Sequence, residues 1–230
     1  MSAHFDPYAD RYEDEVEQSI AFAGQEHEFY VEVKACALLE LAREQLGDLS
    51  RVRALDVGCG VGLTDGHLIP ALGAVEGVDV SEPEIERARA ANPAADYRAY
   101  DGGTLPFPDD RFDLTFAICV VHHVEPPDRP RLLAEMARVT RPGGLVAVFE
   151  HNPLNPLTRL AVRNCSFDEG VVLVGARSLA RQLRGAGLTV LASRYVLFFP
   201  WRGERLRRLE RRLAPVPLGA QYLVAARRSG

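Results

Sequence analysis

At 230 residues the chain has room for one well-buried α/β core and too little for two full domains. Its formal charge of −5 and pI near 5.7 argue against a nucleic-acid-binding protein, which usually carries a basic excess. The four scattered cysteines show no metal-type spacing, no leader opens the chain and no apolar run reaches the ~18 residues of a membrane span, which points to a soluble cytoplasmic protein with free thiols and no metal.

Tyr8 to about Ala23 carries Tyr12, Val16 and Ile20 at helical spacing, with Gly24 as its stop. A second helix is predicted from about Glu26 to Leu46, with Phe29, Val33, Ala37, Leu38 and Leu41 on one face and Gly47 at its end. These helices make an N-terminal cap over residues 1–50, ahead of a core over 51–230 in one domain. Val52 to Val57, interrupted by Arg53, reads as a buried strand; a glycine loop and a helix to about Leu72 follow. The second strand ends at Asp79, and Ser81 is placed to cap a helix that has Glu82 and Glu84 in its first turn and closes at Asn92-Pro93. Tyr97 to Tyr100 is a third strand. Arg111 to Val121 is a fourth, continuously apolar after Asp113, as suits the centre of a parallel sheet. Pro130 to Thr140 is an amphipathic helix, and the Pro142-Gly143-Gly144 turn leads into a fifth strand, Leu145 to Phe149. His151 to Arg159, with two Asn-Pro steps, reads as a loop that opens an insert running to about residue 177. A helix from Ser178 to Ala186, a strand from Thr189 to Phe199, an arginine-rich helix from Glu204 to Leu213 and a last strand from Gln221 to Ala226 complete the chain. Alternating strands and helices imply a Rossmann-like, doubly wound sheet with right-handed crossovers.

The organising stretch is Asp56-Val57-Gly58-Cys59-Gly60-Val61-Gly62, between the first strand and the next helix. Glycines at alternate positions make a tight loop that lets backbone approach a ligand, and the helix behind it presents free N–H groups. Asp79, roughly twenty residues on, stands where a carboxylate grips a ribose. The spacing is G-x-G-x-G rather than the dinucleotide G-x-G-x-x-G, and Asp56 would lie against a diphosphate. A ligand with a cationic end suits the loop better.

With Gly77-Val78-Asp79-Val80-Ser81, Asp101-Gly102-Gly103-Thr104-Leu105-Pro106-Phe107, Phe112-Asp113-Leu114, His122-His123-Val124 and Arg141-Pro142-Gly143-Gly144, the loop resembles a class I S-adenosylmethionine-dependent methyltransferase of the ubiquinone-biosynthesis-like and type-11 group. The likeness runs from about Leu55 to Phe149. It implies a seven-stranded sheet, mostly parallel, whose last strand inserts antiparallel between strands 5 and 6. It also implies that Asp79 takes both ribose hydroxyls, that backbone around Gly58, Cys59 and Gly60 meets the methionine and ribose portions, and that Asp56 holds the ammonium. Val80 would lie on the adenine, Asp101 and Gly102 would meet its edge, Ile118 and Cys119 would flank the sulfonium, and Tyr12 would touch the methionine end.

The implied reaction is transfer of a methyl group from S-adenosylmethionine, leaving S-adenosylhomocysteine, to an oxygen or carbon of a small secondary-metabolite, quinone- or lipid-like acceptor. An N-acceptor, and a non-catalytic partner that only binds the cofactor, are the alternatives. A hydroxyl acceptor needs a base, and His151 and His123, after strands 5 and 4, are the candidates. Lys34, the lone lysine, pairs with a cofactor or acceptor carboxylate or is an ordinary helix-surface residue. The arginine-rich helix, beside Phe198-Phe199-Pro200-Trp201, is a solvated helix with Glu204–Arg208 pairs, a lid over an anionic substrate, or a peripheral membrane contact.

Overall fold

The computed structural model describes residues 27–201 and 203–229; the helix expected around Tyr12 lies outside them. Strands β1 (Arg53–Val57), β2 (Ala74–Asp79), β3 (Asp96–Ala99), β4 (Phe112–Ile118), β5 (Thr140–His151), β6 (Leu188–Val196) and β7 (Gln221–Arg228) form one sheet in the order β3-β2-β1-β4-β5-β7-β6. β1 pairs in parallel with β2 and β4, β2 with β3, and β4 with β5. β7 runs antiparallel between β5 and β6, as the resemblance implies.

Period-two alternation feeds both faces of the sheet. Leu55, Val57, Val146 and Val148 pack against Leu132, Leu133 and Met136 of α4 (Arg129–Val139) and Leu179 and Leu183 of α6 (Ala176–Gly185). Ala54, Leu114, Phe116, Ala147 and Phe149 pack against Leu38, Leu41 and Ala42 of α1 (His27–Leu46) and Leu68 of α2 (Leu63–Leu68). Helix α3 (Glu82–Ala91) starts from Ser81 at its N-cap position, with Ile85 and Ala88 against Tyr97.

Several boundaries differ from the sequence expectation for local reasons. β4 stops at Ile118, not Val121, because Cys119 adopts φ +59° and turns the chain into a single 3-10 turn, Val121–His123. β6 ends at Val196 rather than Phe199 because Leu197 takes φ +61°. β5 begins at Thr140, so the Pro-Gly-Gly turn sits inside it as an irregularity, and pairing jumps from Phe112↔Thr140 to Leu114↔Leu145. α2 ends at Leu68, short of Leu72. The expected loop after β5 contains a helix, α5 (Pro156–Asn164). Its N-cap, Asn155, accepts from Leu157 N and Thr158 N with proline at the first helical position, so the second Asn-Pro step starts a helix. On α1 the buried residues are Phe29, Val31, Lys34, Ala35, Leu38, Leu41 and Ala42, with Val33 and Ala37 half-buried. Helix α7 (Glu204–Leu213) lies beside α1, where Arg211 reaches Glu40 at 3.1 Å.

Candidate active site

The sheet order reverses between β1 and β4, and open α/β sheets form a crevice at the carboxyl ends of such strands. Here a cavity of about 380 Å³ opens there. It is walled by the glycine loop, one face of α1 (His27, Tyr30, Val31, Lys34), the end of β2, the turn after β4, helix α5 and the segment Leu197–Pro200.

The loop is held by its own backbone. Gly58 N donates to Val78 O at 2.7 Å with φ +80°, and a Cβ there would stand 2.5 Å from Val120 Cγ2. Only glycine meets both demands. Gly60 N donates to Asp79 Oδ2 at 2.9 Å and Ser81 N to Asp79 Oδ1 at 3.0 Å, so this carboxylate ties the loop to the end of β2. The carboxylate keeps acceptor capacity for a ligand donor. Burial raises the Asp79 pKa, and the Ser81, Gly60 and Val80 N–H groups offset part of that rise.

Asp56, Gly58, Cys59, Gly60, Asp79, Val80, Gly102, Ile118 and Cys119 all line the cavity. Asp101 is exposed, and its Oδ1 accepts from Gly103 N at 2.8 Å. Cys119 lines the cavity in a left-handed conformation, strain of about 1–3 kcal/mol for a non-glycine residue. Burial pushes its thiol pKa up.

One residue at the loop end was not read from sequence. Asp65, on α2, is fully buried; Tyr97 Oη donates to its Oδ2 at 2.9 Å. Asp56 Oδ1 and Asp65 Oδ1 are both buried without a hydrogen-bond partner, and the two carboxyls bond to each other only when they share a proton. Burial drives the pKa of Asp65 up to about 7. Burial, then the Asp65 and Asp79 charges, raises Asp56 well above the usual carboxylate range, with Lys34 opposing. Lys34 is 7% exposed and faces the cavity, which overturns its reading as an ordinary helix-surface residue. An acidic residue in the first turn after the glycine loop was the available signal for Asp65.

The other end is built on histidines. His122, His123 and His151 line the cavity with Asp168, and the His122 ring lies 4.1 Å from His123 and 5.0 Å from His151, centroid to centroid. Glu150, fully buried, accepts through Oε1 from Val121 N at 2.7 Å and His122 N at 3.2 Å, and through Oε2 meets His122 Nδ1 at 2.6 Å. Burial opposes a charge on His122, but Glu150 and Asp168 outweigh it and bring its pKa to about 10. The reverse holds for its neighbours. Burial, then the His122 charge, lowers His151 to about 4 and His123 to about 3, leaving both rings neutral at pH 7. A glutamate closing an apolar strand was a signal for Glu150; Asp168, in the insert, offered none.

Residues 55–148 match a family described as a methyltransferase domain. The chain is 39% identical over 103 residues to the 27-O-demethylrifamycin SV methyltransferase of Amycolatopsis mediterranei, covering 42% of this chain and 37% of that one. It is 31% identical over 137 residues to the ubiquinone biosynthesis O-methyltransferase of Rhizobium etli, covering 58% and 54%. The chain thus spans about half or less of the length of these curated relatives. Among solved structures, an S-adenosylmethionine-dependent methyltransferase from Thermotoga maritima, described as a possible histamine N-methyltransferase, superposes over all of both chains with a TM-score of 0.69 at 21% identity, a likeness of fold.

Proposed function

We propose that this chain, whose residues 55–148 match a methyltransferase domain, moves a methyl group from S-adenosylmethionine to an oxygen or carbon of an apolar small-molecule acceptor in the cytoplasm. The observation that carries this reading is Asp56 Oδ1, a buried acceptor without a hydrogen-bond partner on a residue that lines the cavity beside the glycine loop. A cofactor ammonium supplies the missing donor. Bound there, the cofactor contributes a methyl group on a sulfonium whose leaving group is neutral and needs no proton. What remains for the protein is to bind, align and exclude water.

Asp79 is assigned to the ribose hydroxyls and Val80 with Gly102 to the adenine, while Ile118 and Cys119 flank the reacting centre. The acceptor is assigned to the space between α5, the Leu197–Pro200 segment and the histidine cluster. Leu157, Ala161, Val162 and Phe199 line that space, which favours an apolar acceptor. His151 is assigned as the base that takes a hydroxyl proton, with His123 as the alternative. The four cysteines are free thiols, in keeping with a reducing compartment.

Calorimetric titration with S-adenosylmethionine, then S-adenosylhomocysteine, tests the reading. Binding of both near the micromolar range is expected, with Asp79→Ala weakening each about tenfold or more through loss of a charge-assisted acceptor. If neither binds the wild-type chain, the cofactor assignment fails; wild-type affinity in Asp79→Ala removes the ribose role of that residue.

A further inference from the structure

The acceptor end of the cavity carries a donor set that methyl transfer does not itself require. His122 Nε2 and His123 Nε2 lie 3.4 and 3.3 Å from the same oxygen, Asp168 Oδ1. The three atoms fall within 4.8 Å of one another. Those separations are long for charge-assisted N–H···O hydrogen bonds, which close to ~2.7–2.9 Å. They match an edge of a coordination shell, since ligands ~2.0–2.1 Å from one ion at the tetrahedral angle stand about 3.3–3.4 Å apart.

The surroundings fit the same interpretation. On its far side His122 Nδ1 meets Glu150 Oε2 at 2.6 Å, the short contact of an N–H donating to a carboxylate. Glu150 is fixed in turn by the Val121 and His122 amides. A buried carboxylate that holds the proton on one ring nitrogen aims the other nitrogen outward, as behind metal-bound histidines. Two imidazoles and one carboxylate are a common ligand set for divalent transition ions.

We propose that His122 Nε2, His123 Nε2 and Asp168 Oδ1 bind one divalent transition-metal ion, zinc foremost, with a coordination position open to the cavity that all three residues line. The ion takes the place of any proton on His122 Nε2. Its charge beside the acceptor space would bind an acceptor oxygen and lower the pKa of a hydroxyl there, so that proton loss precedes methylation. That last role rests on the oxygen-acceptor reading above; the binding of the ion does not.

The test is a titration of the chelator-treated full chain with Co²⁺, reading the visible ligand-field absorption, followed by displacement with Zn²⁺. One equivalent of cobalt with a four-coordinate spectrum is expected. Asp168→Asn and His123→Ala should lose it, and Glu150→Gln should weaken it about 10–100-fold. S-adenosylhomocysteine binding, measured on the same samples, reports that each variant is folded. No cobalt spectrum in the wild-type chain, or wild-type cobalt affinity in folded Asp168→Asn and His123→Ala, overturns the site. Failure of wild-type S-adenosylhomocysteine binding counts against the cofactor reading alone, because the cobalt spectrum still decides the metal.

Discussion

The two histidines best placed to take a proton are held neutral by a third. His151 has a pKa near 4 because it is buried and because His122 beside it is charged. Its lone pair is therefore available at pH 7, although proton transfer to so weak a base gains little in driving force. Its Nδ1 lies 3.4 Å from the Gln221 side-chain amide, and the amide oxygen accepting from Nδ1–H there leaves the Nε2 lone pair for a substrate proton. His151→Ala is expected to leave S-adenosylhomocysteine affinity unchanged and to slow turnover of a hydroxyl acceptor about 10²-fold. Unaltered turnover would remove His151 as the base. At this scale the sequence displays residues whose position in a motif is fixed by neighbours along the chain, such as Asp56 and Asp79. Lys34 is conspicuous as the lone lysine, yet only the burial of that face of α1 decides between its two readings. Asp65, Glu150 and Asp168 gain their meaning from partners distant in sequence: Tyr97 for Asp65, and His122 for the other two.

Elements that alternate cleanly were legible, and those bent by one residue were not. The apolar run through Val121 predicts a long β4, but periodicity carries no information on the left-handed turn at Cys119 that ends it. That turn swings His122 and His123 over the carboxyl edge. The Asn155-Pro156 step has the same ambiguity, since proline after asparagine opens a turn or a helix equally well. The arginine-rich helix α7 also acts through an unexpected member. Glu210 Oε1 accepts from Phe198 N at 2.9 Å and Phe199 N at 3.3 Å, fastening to α7 a segment that walls the cavity. Glu210→Ala should release that segment. Amide hydrogen exchange at Phe198 and Phe199 is expected to speed up about tenfold or more, with the β7 amides unchanged, as local opening dictates. Equal protection in both proteins would show that packing, and not this carboxylate, holds the wall.

For the whole molecule, the reversal between β1 and β4 gathers ionisable groups into a buried crevice and makes folding and ligand binding share protons. Asp65 ionises at about 7 in the folded chain and at ~3.9 when unfolded. A carboxyl with a raised folded pKa contributes stability that is fully present below ~4 and is lost as pH rises toward 7. The ligand-free protein should therefore lose stability from this source between about pH 4 and 7, and Asp65→Asn should remove the loss. Thermal unfolding is expected to give the variant a higher Tm than wild type at pH 8, with the difference shrinking toward pH 4. A cationic ligand end reverses the preference, because it favours the ionised carboxylates that burial disfavours. Binding of S-adenosylmethionine below pH 7 should then release protons, and its affinity should rise from pH 5 to pH 7. Calorimetry in buffers of different ionisation enthalpy measures that release, which Asp65→Asn should diminish. No proton release in the wild-type chain, together with parallel Tm profiles, would mean that the ammonium does not lie against Asp56. The same pair thus links an instability of the empty crevice to its selectivity for a cation, with the cost of burying unpaired carboxylates recovered when the cation arrives.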